Sequence, residues 1–166
     1  ENKKDAVYYY SRAASKNDIT GIYHYAVSLR YGNGIKEDKN EAARKLKMLA
    51  DKEFPQAMIA YGDMLEKGDG IEVNKEEASK YYKMAIDYDC PEGMVKYGNL
   101  IEDKNKEEAI SYYKMAAEKG EKSAFYNLGL ISEDDKEKLM YFKKASDKGH
   151  LYGMFNYARM LYHGKG

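Results

Sequence analysis

Pro55-Gln56-Ala57-Met58-Ile59-Ala60-Tyr61-Gly62-Asp63-Met64-Leu65-Glu66-Lys67-Gly68-Asp69-Gly70 is followed, after Ile71-Glu72-Val73, by Asn74-Lys75-Glu76-Glu77-Ala78-Ser79-Lys80-Tyr81-Tyr82-Lys83-Met84-Ala85, and this stretch decides the fold. Shifted by one period in either direction, it lands on a near copy of itself. Its first half places small and apolar residues at helical spacing, two glycines break the pattern, and the second half restarts it behind an amide and an acid. Helix, glycine turn, capped helix is therefore the unit. A unit of this size cannot bury its apolar face alone, so neighbouring units must stack into a solenoid.

The second helix of each unit repeats one narrow face. Ala78, Tyr81, Tyr82 and Ala85 lie three, four and seven residues apart on it, and the same face is Ala6, Tyr9, Tyr10 and Ala13 near the start of the chain. It returns as Ala42, Lys45, Leu46 and Leu49, as Ala109, Tyr112, Tyr113 and Ala116, and as Lys138, Tyr141, Phe142 and Ala145, with lysine in the place of the first alanine. The steps between copies are 36, 36, 31 and 29 residues, the shorter ones falling where the glycine turn is missing.

The first helix has its own signature: Gly21/Tyr25/Ala26/Leu29, Ala57/Tyr61/Gly62/Leu65, Gly93/Tyr97/Gly98/Ile101, Ala124/Leu128/Gly129/Ser132 and Gly153/Tyr157/Ala158/Leu161. Glycine in a helix interior costs about 1 kcal/mol against alanine. Its recurrence in mid-helix predicts that the two helices of a hairpin approach closely there. Gly32-Asn33-Gly34 and Gly68-Asp69-Gly70 read as turn glycines that supply positive φ. No strand precedes them and no Gly-Lys-Ser/Thr follows, which argues against a phosphate loop.

Asp38, Asn74, Asn105 and Asp134 each stand three residues before a glutamate at the start of a second helix, the pattern of a capping box. Capping accounts for these acidic clusters better than metal binding does. Asn17, Asp89, Gly120 and Gly149 mark helix ends at one equivalent position, from which Glu53 departs in type, and Pro55 and Pro91 open the next helix.

Composition limits the function. Lys+Arg and Asp+Glu both number 28, so no global basic field draws nucleic acid, and apolar runs fall far short of the ~20 residues a membrane span needs. The single cysteine, Cys90, is compatible with a reducing compartment, and a cytoplasmic location is the expectation. The 18 tyrosines against 4 phenylalanines and no tryptophan suit a thin two-layer array, where a ring packs at its base and reaches water at its tip.

The motif small-x-x-x-Leu/Tyr-small-x-x-apolar, Gly-x-Gly, then Asp/Asn-x-x-Glu-Ala-x-x-Tyr-Tyr-Lys-x-Ala resembles the Sel1-like repeat, a relative of the tetratricopeptide repeat. The resemblance covers nearly the whole chain. It implies an all-α, right-handed α/α superhelical solenoid of about ten antiparallel helices, read here as one array over 1–166: half repeats at 2–19 and 151–166 and full repeats at 20–54, 55–90, 91–121 and 122–150. It also implies an adaptor scaffold in protein complexes and signalling. The paired cysteines of disulfide-linked bacterial members are absent here. Ser132, Lys138 and the missing Gly-x-Gly of the last two full units depart from the pattern.

Candidate chemistry is sparse. His24, His150 and His163 have no metal-ligand partners at the required spacing, and Cys90 has no base beside it in sequence. The chain is therefore expected to be no enzyme and to need no cofactor or metal. In such an array the first helices line the concave surface, and positions two, three and six after each small residue turn away from the packing arc or sit at its edge. They are Tyr23, His24 and Val27; Ile59, Ala60 and Asp63; Val95, Lys96 and Asn99; Tyr126, Asn127 and Leu130; Phe155, Asn156 and Arg159. Aromatics with amides suit an extended peptide or protein partner. By the resemblance, Asn99, Asn127 and Asn156 would meet its backbone. Packing against the adjacent first helix is an equal expectation for Tyr23, Val95 and Tyr126. The alternative function is a regulatory or targeting segment of a larger signalling enzyme, such as a kinase. The chain reads as a fragment of something longer, whose uncapped terminal repeats would associate end to end.

Overall fold

The computed structural model describes residues 2–166, and every regular element among them is an α-helix. They gather into two compact units, one ending at Tyr88 and one spanning Asp89–Gly166. The first holds α1 (Asn2–Ser15), α2 (Ile19–Tyr31), α3 (Lys39–Ala50), α4 (Pro55–Lys67) and α5 (Lys75–Asp87); the second holds α6 (Pro91–Ile101), α7 (Lys106–Glu118), α8 (Lys122–Ile131), α9 (Asp135–Asp147) and α10 (Leu151–Tyr162). Within each unit every helix packs on its chain neighbours. The odd-numbered helices are the second-type ones of the sequence pattern, and the even-numbered are the first-type.

The caps form as the sequence dictates, with one difference. Asp38, Asn74, Asn105 and Asp134 accept the backbone N–H three residues on, at 2.9, 2.9, 3.2 and 2.8 Å. The reciprocal half of a capping box would use the N–H of the cap residue itself. That N–H is instead donated to the end of the preceding helix: Asp38 to Leu29 O, Asn74 to Leu65 O and Asn105 to Ile101 O. The glutamate side chains are thus left for other partners, and Glu77 and Glu108 accept from the amides of Asn74 and Asn105. One residue so ties the two helices of a hairpin together and starts the second.

The second-type helices end in a left-handed residue. Asn17, Glu53, Asp89, Gly120 and Gly149 have φ of 62°, 65°, 59°, 84° and 78°, so Glu53 departs in type but not in conformation. Four of these five ends are followed by an N–H that reaches five residues back, from Asp18, Phe54, Glu121 and His150, as expected of a Schellman end.

The mid-helix glycines are explained by aromatic rings. A Cβ on Gly62 would lie 2.6 Å from the Tyr82 ring, on Gly98 2.6 Å from the Tyr113 ring, and on Gly129 2.7 Å from the Phe142 ring. Each of these three hairpins therefore closes by packing the ring of its second helix against a bare stretch of its first. Tyr82 and Tyr113 are fully buried and Phe142 nearly so; burying such a ring contributes on the order of 2–3 kcal/mol. The first small position faces the other way: a Cβ on Gly21 would meet Ala13, and on Gly153 Ala145.

Where the glycine turn is absent the chain turns tightly instead. Lys104 and Asn105 both donate to Ile101 O, and α8 stops at Ser132, whose extended backbone leaves the helix and whose hydroxyl donates to Glu137. Ser132 tolerates its apolar position because the helix ends there.

Candidate functional site

The sixth residue after the small position, read from sequence as partner-facing, has an internal duty in two hairpins. The Tyr82 hydroxyl lies 3.0 Å from Asp63 Oδ1 and 2.8 Å from Glu66 Oε2. The Tyr113 hydroxyl lies 2.7 Å from both Asn99 Oδ1 and Glu102 Oε2. A phenol has one proton for two acceptors, so each hydroxyl can be donated to either. Burial and the neighbouring carboxylates push both phenols far above the usual tyrosine range. The ring is thus held neutral at any physiological pH.

The same positions change together elsewhere. Where the second helix carries Phe142 the acceptor position is Leu130, and where it carries Leu46 the position is Val27. A buried hydroxyl without an acceptor is costly, and an acceptor without a hydroxyl is left to solvent. Taken from the first helix alone, Asp63 and Asn99 face outward to a partner; the signal for their bond within the hairpin lies in the matching residue of the second helix, Tyr82 or Tyr113.

The other predicted residues divide by burial. In the first unit Tyr23, His24 and Val27 are half-buried and Ile59 is buried. Tyr23 meets Phe54 edge-on at 5.5 Å, and His24 stacks on Tyr10 at 5.0 Å. In the second unit Val95 and Asn156 are buried, Lys96, Tyr126 and Asn127 half-buried, and Asn99, Leu130, Phe155 and Arg159 exposed. Asn127 donates to Asn99 Oδ1 at 2.7 Å, while Asn156 donates to Tyr152 O at 2.9 Å within its own helix. Tyr126 stacks on His150 at 4.6 Å and approaches Tyr152 at 6.1 Å. Phe155 has the same place on its helix as Tyr23 and Tyr126 but is 63% exposed, beside Arg159 at 6.0 Å from its ring.

A cluster that the sequence did not announce holds the glycine turn of α4. Arg30, buried on α2, donates through Nε to Asp69 Oδ2 at 2.7 Å, and Lys39 Nζ reaches Asp69 Oδ1 at 3.0 Å. Burial disfavours the Asp69 charge, yet the hydrogen bonds of Arg30 and Lys39 prevail and hold its carboxyl below the usual range. The only trace in sequence is the acid of Gly68-Asp69-Gly70 where Asn33 stands in the other turn. A further polar triad joins α3 and α5, with Tyr81 donating to Asp51 at 2.9 Å and Lys47 to Asp51 at 2.9 Å. No group of three or more His, Cys, Asp or Glu side chains that could hold a metal exists among the described residues, and no helix of the described residues is long and apolar enough to cross a membrane.

A family model of the Sel1 repeat matches residues 1–18, 20–51, 55–87, 93–121, 124–150 and 151–166. Among solved structures, the chain is similar to c5321, a protective antigen of uropathogenic Escherichia coli strains displaying an SLR fold, with a TM-score of 0.84 and 26% identity. That match covers 99% of this chain but 38% of the other. A Sel1 repeat protein from Oxalobacter formigenes is similar at TM-score 0.84 and 22% identity, over 95% of this chain and 67% of that one. The immunity protein Pa5087 from Pseudomonas aeruginosa is similar at TM-score 0.68 and 22% identity, over 89% and 59% of the two chains. Among functionally curated proteins none matches the sequence.

Proposed function

The chain belongs to the Sel1 repeat family, and from that premise we propose that it is a non-catalytic protein-interaction scaffold that takes a peptide or protein partner on the exposed side of its first-type helices. The observation that carries this reading is the mixture of aromatic rings and amides there: Tyr23 and His24 in the first unit, Tyr126, Asn127 and the exposed Phe155 in the second. Rings supply contact area at small entropic cost and amides meet a partner's backbone, the combination that dominates interface energetics. Asp63 and Asn99 contribute less, because the hydroxyls of Tyr82 and Tyr113 already occupy them.

Crosslinking capture from the source cells tests the proposal, using the wild-type chain beside a His24→Ala, Asn127→Ala, Phe155→Ala variant. None of the three is fully buried, so the variant stays helical. A defined partner captured by the wild type and lost by the variant supports the reading. Equal capture by both overturns it.

End-to-end association is a second reading, favoured by the exposed apolar side chains Leu151, Tyr152, Leu161 and Tyr162 on α10. Sedimentation equilibrium over a hundredfold range of concentration tests it, and a strictly monomeric chain contradicts it.

A further inference from the structure

Tyr25 has the same place on α2 that Tyr61 has on α4, 36 residues on. Tyr61 meets the Tyr81 ring edge-on at 5.0 Å and 88°, and in the second unit Tyr97 meets Tyr112 in the same way at 5.0 Å and 89°. Where those hairpins bring a ring, the α2–α3 hairpin brings Lys45, whose ammonium lies 5.6 Å from the Tyr25 centroid. The partners of that ring change with it. Lys47 and Asp51, which hold the Tyr81 hydroxyl between α3 and α5, correspond to Ser11 and Ser15 on α1.

The place that Tyr81 spans between α3 and α5 is therefore open between α1 and α3. A recess of about 400 Å³ lies there, with Ser11, Ser15, Tyr25, Lys45 and Met48 in its lining. Its apolar wall meets water: Tyr25 is half-buried, where Tyr61 is only 7% exposed, and Met48 is 39% exposed. The opening does not come from the start of the chain. Lys47 and Asp51, the matching wall residues of α3, have α1 and α2 before them and still keep side-chain exposures of 45% and 51%.

The polar side of the recess has a definite chemistry. Ser11 and Ser15 donate their hydroxyls to Tyr8 O and Arg12 O at 2.8 and 2.7 Å, so each hydroxyl oxygen is left to accept. Lys45, the cation of the lining, is bonded to Glu41 at 3.0 Å. Arg44 bonds the same carboxylate at 2.7 Å, so Lys45 can turn to another acid without stripping Glu41 of its partner.

We propose that this recess is a docking site for a tyrosine of a protein partner that carries an acidic residue beside it. The ring takes the edge-on place against Tyr25 that Tyr81 takes against Tyr61, with Met48 beside it. Its hydroxyl donates to Ser15 as Tyr81 donates to Asp51, and the neighbouring carboxylate meets Lys45. The two filled sites show that this backbone geometry accepts a tyrosine, and the cation sets the sign of what accompanies it. The proposal rests on the scaffold reading but adds one contact on the other layer of the array, apart from the ring-and-amide positions.

The test is a titration of the labelled protein, followed by amide resonances, with three blocked pentapeptides at constant ionic strength. Gly-Asp-Tyr-Glu-Gly is the probe; one control replaces Tyr by Ala, and the other replaces Asp and Glu by Asn and Gln. The probe is expected to shift the resonances of residues 11, 15, 25 and 48 and to saturate with a Kd of about 1 mM or below. Each control is expected to bind about fivefold more weakly. Lys45→Tyr supplies the chain's own ring, as the next repeat does, so it folds, and it is expected to weaken the probe about tenfold. Lys45→Gln keeps the stem and is expected to erase the difference between the probe and the amide control. Equal binding of the alanine control, absence of saturation, or an affinity unchanged by Lys45→Tyr would overturn the proposal. Shifts confined to residues 24, 127 and 155 would overturn it and leave the scaffold reading intact, whereas failure of that reading appears in the crosslinking capture and not in this titration.

Discussion

The hairpin α4–α5 closes with a tyrosine and the hairpin α8–α9 with a phenylalanine, and the difference shows how one architecture accepts two chemistries. Both lay a ring on a glycine, Tyr82 on Gly62 and Phe142 on Gly129. The tyrosine hairpin adds a hydroxyl and therefore needs acceptors, which Asp63 and Glu66 supply; the phenylalanine hairpin has no hydroxyl to satisfy, Leu130 stands at its first acceptor position, and Glu133, at the second, is exposed beyond the end of α8. Shape is thus fixed by the ring and the glycine. Polarity is then matched across the pair.

The α2–α3 hairpin goes further. Leu46 replaces the ring, Val27 replaces the first acceptor, and Arg30 stands at the second, turned towards Asp69 in the turn after α4. Arg30→Ala should therefore have the largest effect of any change at these positions, about 2 kcal/mol in urea unfolding, because Asp69 loses its buried partner and keeps only the more exposed Lys39. The same pair sets an acid limit. Asp69 has a depressed carboxyl pKa, so its contribution is complete above the unfolded value near 4 and is lost as pH falls through the folded one. The Arg30→Ala chain should keep only the smaller acid-dependent component that Lys39 sustains.

Tyr82→Phe and Tyr113→Phe come next, each costing about 1.5 kcal/mol for a buried hydrogen bond to a charged or amide acceptor. The ring stays on its glycine, so circular dichroism should be unchanged. The reverse change sharpens the comparison: Phe142→Tyr should cost about 1 kcal/mol for a hydroxyl placed against Leu130, and Leu130→Asn should recover most of it in the double variant. A double-mutant coupling near zero would break the proposed match.

The smallest effect concerns the caps of α8 and α10. Glu121 caps α8 by accepting from Ser123 N–H, whereas His150 caps α10 by accepting the Gly153 N–H on Nδ1 at 3.0 Å. That bond requires a neutral imidazole. Burial, with Lys122 nearby, lowers the His150 pKa against the opposing pull of Glu121. A base with a lowered folded pKa contributes stability in full above its unfolded value near 6.5, and loses it as pH falls towards the folded value. The stability of the wild type between pH 7 and 5 should fall by less than about 1 kcal/mol, and His150→Asn should remove that dependence while keeping the cap.

The sequence made most of the fold legible because repetition averages out local ambiguity. The caps at Asp38, Asn74, Asn105 and Asp134, the turn glycines and the mid-helix glycines each recur, and a feature seen several times at one phase has one structural meaning. Glu53 was the exception in type, and its left-handed backbone shows that position in the repeat overrides residue preference. The interaction face was less legible. Helical phase shows which way a side chain leaves its own helix but not whether a neighbour's hydroxyl awaits it, as at Asp63 and Asn99, or whether a ring at the cap of the next first-type helix covers it, as His150 does at Tyr126. The Arg30–Asp69 pair was invisible for a related reason: its members are 39 residues apart and neither residue type recurs at its position in the other repeats.

The central claim, that partners meet the first-type helices, is tested most directly by a photo-crosslinking amino acid placed singly at positions 24, 127 and 155 and, as comparison, at the exposed second-type positions 80, 114 and 143. The account predicts that a partner protein is trapped from positions 24, 127 or 155 and not from the second-type helices. Trapping from positions 80, 114 or 143 alone would contradict it and assign recognition to the other layer of the array.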